Sequence, residues 1–176
     1  MQEFNGNIKD FSKPRKGKIK QGYFYPKNPD KYMGDLTKII YRSSWERSFL
    51  NFCDLSSDVL KYEIEPFSIK YLNPLTKRIH KYFIDFYVEF QSPDGIEKWL
   101  VEIKPIKHTQ KPKRPKRQTA KSLKNFISAY KRYQMNMAKF KAATEFANLN
   151  GLKFDVVEVV NGQFKKINWK SSEHHK

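Results

Sequence analysis

The chain has 176 residues, 39% hydrophobic and 15% aromatic, with a formal charge of +17 from 35 basic and 18 acidic side chains. That length accommodates one domain with a packed core plus a basic or extended accessory segment. The charge points to a polyanionic partner, nucleic acid first, against the alternatives of a soluble basic protein or a membrane-surface or ribosome-like binder. Cys53, the only cysteine, excludes an intrachain disulfide and a Cys-based zinc site, and suits a reducing, intracellular compartment. The opening MQEFNGNIKD has no apolar h-region, and no stretch of about 18 apolar residues occurs, so neither secretion nor membrane spanning is expected.

Residues 1–40 read as an extended basic N-terminal arm. Pro14, Pro26 and Pro29 break regular elements, and Lys and Arg alternate with Tyr23, Phe24 and Tyr25. Such aromatics either stack on bases or pin the arm to the core. The domain itself spans residues 41–170. It opens on RSSWERSFLNFCDLSS, where Trp45, Phe49, Phe52 and Cys53 recur at helical spacing and Leu50 widens the stripe. Ser43 and Glu46 form a capping-box pattern, in which Glu46 reaches back to the Ser43 amide. The other reading of Glu46 is a site carboxylate at the start of a helix that packs on a sheet.

Residues 60–72 alternate in strand fashion, and Pro66 marks an edge or bulged strand. After an Asn73–Thr76 turn, residues 79–90 read as one strand. Tyr82, Ile84, Phe86, Val88 and Phe90 lie on one face, and Phe83, Asp85, Tyr87 and Glu89 on the other. The turn Ser92-Pro93-Asp94-Gly95 closes an antiparallel hairpin with the strand that carries Leu100, Glu102 and Lys104 on a common face. If Ser92 pairs with Gly95, apolar face meets apolar face, and Asp85 falls opposite Glu102. Opposed Cβ atoms lie about 4.5–5.5 Å apart, so the two carboxylates would repel unless a cation sits between them. Mg²⁺ held by one or two carboxylates fits this pattern, with Lys104 beside it supplying positive charge. A salt-bridge ladder between these residues is the non-catalytic alternative.

Residues 104–118 form a basic loop. Its first fourteen residues hold seven Lys or Arg and three Pro, and Lys107, Lys111, Lys113, Arg114, Lys116 and Arg117 are candidate DNA contacts. The same composition also describes a solvated loop. His108 has no assigned role. From about residue 119 to 149 a stripe of Leu123, Phe126, Ile127, Tyr130, Tyr133, Met137, Phe140, Ala143 and Ala147 predicts an amphipathic helix, with a break near Tyr133-Gln134 or none. Residues 152–160 read as a strand able to pair parallel with the E-x-K strand through a right-handed crossover. Asn161-Gly162 is a turn, a short last strand follows, and residues 171–176 are a frayed tail.

Glu46 in RSSWE, Asp85 in FIDF, and Glu102 and Lys104 in VEIKP resemble the PD-(D/E)xK nuclease superfamily, with Ile84 where a proline usually precedes the Asp. The phrases RSSWE, YEIEPFSIKY, FIDFYVEF and VEIKP are similar to transposon-end endonucleases of the TnsA type. YPKNPDKYMGD with IIYRSSWE is similar to the head-completion nucleases of T-even-like tailed phages, over about residues 17–160. The resemblance implies an α/β fold: a restriction-endonuclease-like core whose central mixed sheet is flanked by helices. It implies Glu46, Asp85, Glu102 and Lys104 as the catalytic set, with Asp85, Glu102 and Glu46 as ligands of Mg²⁺ (or Mn²⁺). Glu65, in the EPFSI phrase, is either a further site carboxylate or a solvent-facing strand residue. Asn136 and Lys139 correspond to a helix with a polar residue facing the site. The function implied is a DNA endonuclease of little sequence specificity that processes packaged DNA ends. It would be located in the virion or the host cytoplasm, in contact with head or neck proteins at the portal vertex. A transposase-type or junction-resolving nuclease, and a non-catalytic basic DNA-binding virion protein, are the alternatives.

Overall fold

The computed structural model describes residues 21–161 and 163–170. The first half of the arm, the Gly162 position of the predicted turn and the predicted frayed tail lie outside the described residues. The elements run β1 (Gly22–Tyr23), β2 (Ile40–Tyr41), α1 (Ser44–Leu55), β3 (Val59–Ile64), β4 (Ser68–Leu72), β5 (Ile79–Phe83), β6 (Phe86–Ser92), β7 (Gly95–Ile103), α2 (Ala120–Leu149), β8 (Lys153–Val160) and β9 (Gln163–Lys166).

A five-stranded mixed sheet in the order β3-β6-β7-β8-β9 forms the centre. β3, β6 and β7 are antiparallel; β8 returns parallel to β7 after α2, and β9 pairs back on β8. This is the α/β, restriction-endonuclease-like architecture. Its parallel pair needs a long crossover, and α2 supplies it. α2 is continuous over 30 residues; the optional break at Tyr133-Gln134 does not occur. Thr119 and Ser122 close a reciprocal capping box at its start.

The two faces of the sheet are packed differently. On one, Phe49, Leu50 and Cys53 of α1 meet Phe86, Val88, Val101, Ile103, Val157 and Phe164. The Phe49 ring lies edge-on to Phe86 at 4.7 Å and to Phe164 at 5.0 Å. On the other, Ala143 and Ala147 of α2 pack with Leu100, Ile84 and the inner face of the β4–β5 ribbon, Ile69, Tyr71 and Tyr82.

Residues 21–40 lie on the body through specific contacts. Phe24 and Ile39 are buried with the α1 cluster, while Tyr23 and Tyr25 are exposed. Buried Asp54 accepts the Lys27 and Asn28 amides at 2.8 and 3.0 Å, and its carbonyl accepts from Asn28 Nδ2 at 2.8 Å. A carboxylate sunk in the core is tolerable only when several donors face it, and these do.

Candidate active site

The hairpin register is the predicted one. Ser92 pairs with Gly95, and the ladder runs without a slip to Phe86–Val101. Gly95 has φ 121°, a conformation open to glycine and strained for other residues. One expectation is corrected, however. Residues 79–90 are not one strand, and Asp85 is not inside it. The chain breaks at Ile84-Asp85, and β5 and β6 belong to different sheets.

The partner strand breaks at the same level. Glu65 takes φ 48° just before Pro66, and its amide donates to the Asp85 carbonyl at 3.0 Å. Pro66 cannot donate to a ladder, so the long hairpin bends here. The bend reverses the predicted alternation. Phe86 and Val88 face α1, whereas Tyr82 and Ile84 face α2.

Asp85 therefore stands at the mouth of β6. Its Oδ2 accepts the Ile103 amide at 2.8 Å and lies 3.4 Å from Lys104 Nζ. Glu102 is 1% exposed. Its Oε1 lies 2.6 Å from Lys104 Nζ, and its Oε2 accepts from the Tyr82 hydroxyl at 2.5 Å. One ammonium thus serves two carboxylates.

The electrostatics follow from burial and from that imbalance. Burial first, then the charge of Asp85, push the Glu102 carboxyl up to about 7, and Lys104 and Tyr82 offset only part of this. Burial alone would push Lys104 down, but Glu102 and Asp85 outweigh it and hold the ammonium above its ordinary range. Burial and the neighbouring carboxylates raise the Tyr82 hydroxyl well above its ordinary range, so it stays a donor.

Glu46 sits at the start of α1 in a capping arrangement. The Ser43 hydroxyl accepts the Glu46 amide at 3.1 Å and donates to Glu46 Oε1 at 2.8 Å. Glu46 Oε2 accepts the Arg42 amide at 2.7 Å. The cap differs from the expected one by reaching Arg42 N–H instead of Ser43 N–H. Glu65 is engaged by the Arg42 guanidinium. Among the described residues, no group of three or more His, Cys, Asp or Glu side chains is disposed to hold a metal ion.

Beyond the strand, the basic loop leaves the site tethered at its root. The Ile106 amide donates to Glu158 Oε1 at 2.9 Å, and Asn136 Nδ2 donates to the His108 carbonyl at 2.9 Å. Lys107, Lys111, Lys113, Arg114, Lys116 and Arg117 are all exposed along it. His108 Nε2 meets the Arg132 guanidinium at 3.0 Å. Lys139 places its ammonium 5.1 Å from the centre of the Tyr82 ring and 5.9 Å from that of Tyr71, a cation–π arrangement behind the Glu102 hydrogen bond.

Tyr82 is the residue that sequence reasoning missed. Alternation along an unbroken strand assigns it to the face opposite Asp85. The signal that could have found it is Pro66, which breaks the pairing strand at the level where the face changes.

Among the described residues, no helix is long and apolar enough to cross a membrane. Residues 56–158 match the family model described as TnsA-like endonuclease N terminal. A head completion nuclease of Enterobacteria phage T4 is 33% identical over 136 residues, covering 77% of this chain and 89% of the T4 protein. No solved structure matches the chain. The mixed sheet, the hairpin that carries Glu102 and these matches together show that the chain belongs to the TnsA-like endonuclease family and is a relative of a phage head completion nuclease.

Proposed function

We propose that the protein is a divalent-metal-dependent DNA endonuclease of little sequence specificity that processes packaged DNA ends when a phage head is completed. The observation that carries the chemistry is the convergence on Lys104 of Asp85, just before β6, and Glu102, on β7. The biological setting rests on the printed name of the T4 relative and the share of both chains that aligns. By the same inference the protein works in the virion or the host cytoplasm, against head or neck proteins at the portal vertex.

The donor set fits a hard divalent cation. Asp85 and Glu102 offer carboxylate oxygens on either side of one ammonium, Lys104, at 3.4 and 2.6 Å, so two negative charges face one positive. Mg²⁺ is commonly held by one or two carboxylates and keeps several waters. Asp85 and Glu102 would hold Mg²⁺ or Mn²⁺, with Glu46 as the third candidate, on exchanging its Ser43 contact. Such an ion supplies Lewis acidity to a phosphate oxygen and lowers the pKa of a bound water.

The chain's own residues divide the remaining work. Lys104 stays protonated, so its role is electrostatic, placing positive charge where the phosphate oxygens gain negative charge in the transition state. Tyr82 fixes the Glu102 carboxylate, so the site needs little reorganisation when the phosphate arrives. Lys107, Lys111, Lys113, Arg114, Lys116 and Arg117 neutralise the backbone beside the scissile bond; phosphate contacts of this kind set position without reading sequence. That agrees with low sequence specificity.

The test is cleavage of linear and supercoiled DNA by the purified chain with Mg²⁺ or Mn²⁺, with and without EDTA, alongside Asp85→Ala and Lys104→Ala. Cutting that needs the metal and is lost in both variants is expected. If wild type and variants shift DNA equally and none cuts, the protein is a non-catalytic DNA-binding protein.

A further inference from the structure

We propose that the β4–β5 ribbon is a second DNA-contacting element, lying along the duplex next to the cleavage site; it rests on the nuclease reading for the identity of the polyanion. Residues 68–83 contain Lys70, Lys77, Arg78 and Lys81 and no Asp or Glu. The inner face of the ribbon is used up against α2 by Ile69, Tyr71 and Tyr82. The outer face pairs Lys70 with Lys81, Leu72 with Ile79 and Ser68 with Phe83. Leu72, Ile79 and Phe83 are 57%, 64% and 55% exposed.

Two features select the occupant. Directly opposed like charges destabilise an antiparallel pair. Lys70 and Lys81 are so placed on an exposed face, with no acidic residue anywhere on the ribbon to offset them. An external polyanion between the strands removes that cost. The ribbon's shape also suits the task. Five residues at about 3.4 Å each give a strand of about 17 Å, and the B-DNA major groove, about 12 Å wide, admits a two-stranded ribbon. Leu72 and Ile79 then meet sugars and base edges without reading sequence, while the basic residues meet phosphates.

The position ties this surface to the chemistry. β5 ends at Phe83, and the chain reaches Asp85 immediately after it. A duplex lying on the ribbon is thereby brought to the end of β5, two residues from Asp85.

The experiment measures binding of the full chain to a labelled blunt duplex by fluorescence anisotropy in EDTA, across a salt series, so that no cutting intervenes. Lys70→Gln combined with Lys81→Gln is expected to reduce the slope of log affinity against log salt by about 2, and to weaken binding about tenfold or more near physiological salt. Ile79→Ser is expected to lower affinity with the slope unchanged. A thermal melt of the double variant at or above wild type separates lost contacts from lost folding. Unchanged slope and affinity in the double variant overturn the proposal, and the face is then left to a protein partner or to solvent. Cleavage with Mg²⁺ is scored separately. A wild type that does not cut, beside a double variant with a reduced slope, sinks the nuclease reading and leaves the ribbon standing. A wild type that cuts, beside a double variant with the full slope, sinks the ribbon alone.

Discussion

The Tyr82 hydroxyl donates to Glu102 Oε2 at 2.5 Å, although Tyr82 belongs to the β4–β5 ribbon and Glu102 to the central sheet. The bond joins the two sheets at the site, and it lowers the proton affinity of a carboxyl that burial and Asp85 raise. Tyr82→Phe leaves the ring packed and removes one donor from a buried carboxylate. The expected cost is about 1–3 kcal/mol in a urea melt, with the pH dependence of cleavage displaced to higher pH. Unchanged stability and an unmoved pH profile would show that the hydroxyl holds nothing in place.

Glu102 gives stability a definite pH dependence. Its carboxyl is raised from 4.5 to about 7 in the fold, so the folded chain holds the proton more tightly than the unfolded one. The associated stabilisation is fully present below the unfolded value and is lost as pH rises to about 7. Wild type should therefore lose stability relative to Glu102→Gln between about pH 4.5 and 7. On the proposed reading, cleavage with Mg²⁺ needs Glu102 ionised and should rise with pH, at lower pH than the loss of stability because a bound cation favours the ionised form. Parallel stability–pH curves for the two proteins would contradict this.

Glu46 can be tested without wrecking its helix. Its two carboxylate oxygens accept from the Arg42 amide and the Ser43 hydroxyl; a glutamine carbonyl can keep the Arg42 bond while its NH₂ donates to the Ser43 hydroxyl. Glu46→Gln should stay within about 0.5 kcal/mol of wild type in stability, while Glu46→Ala loses the cap at about 1 kcal/mol. If Glu46 also serves the metal, both variants lose cleavage by tenfold or more, about 1.4 kcal/mol in the barrier. Full cleavage in Glu46→Gln would leave it a cap and nothing else.

Asp54 anchors the chain before α1. Its carboxylate accepts the Lys27 and Asn28 amides, and Tyr62 approaches it at 3.3 Å. In Asp54→Asn a side-chain NH₂ meets those donors. The expected cost is about 2–4 kcal/mol, with faster proteolysis within residues 21–40 in timed digestion. Equal digestion rates would mean that Phe24 and Ile39 hold the segment unaided.

Short-range rules account for the features that could be read from the amino-acid order. α1 follows from apolar spacing, and the β6–β7 register follows from one turn, Ser92 to Gly95. The parallel β8 follows from a strand pattern after a long helix. Lys104 beside Glu102 follows from that register together with the two-residue strand period. The remaining features depend on residues far apart in the chain, which meet only in the folded molecule. The break at Ile84-Asp85 lies where the partner strand breaks, with the Glu65 amide on the Asp85 carbonyl and Pro66 following, and no local pattern in residues 79–90 announces it. That break carries Tyr82 across to Glu102 and frees the ribbon from the central sheet. Phe24 docks in the α1 cluster, and Asp54 takes up the Lys27 and Asn28 amides nearby in sequence, because a carboxylate in a dry core must find its donors wherever the fold brings them.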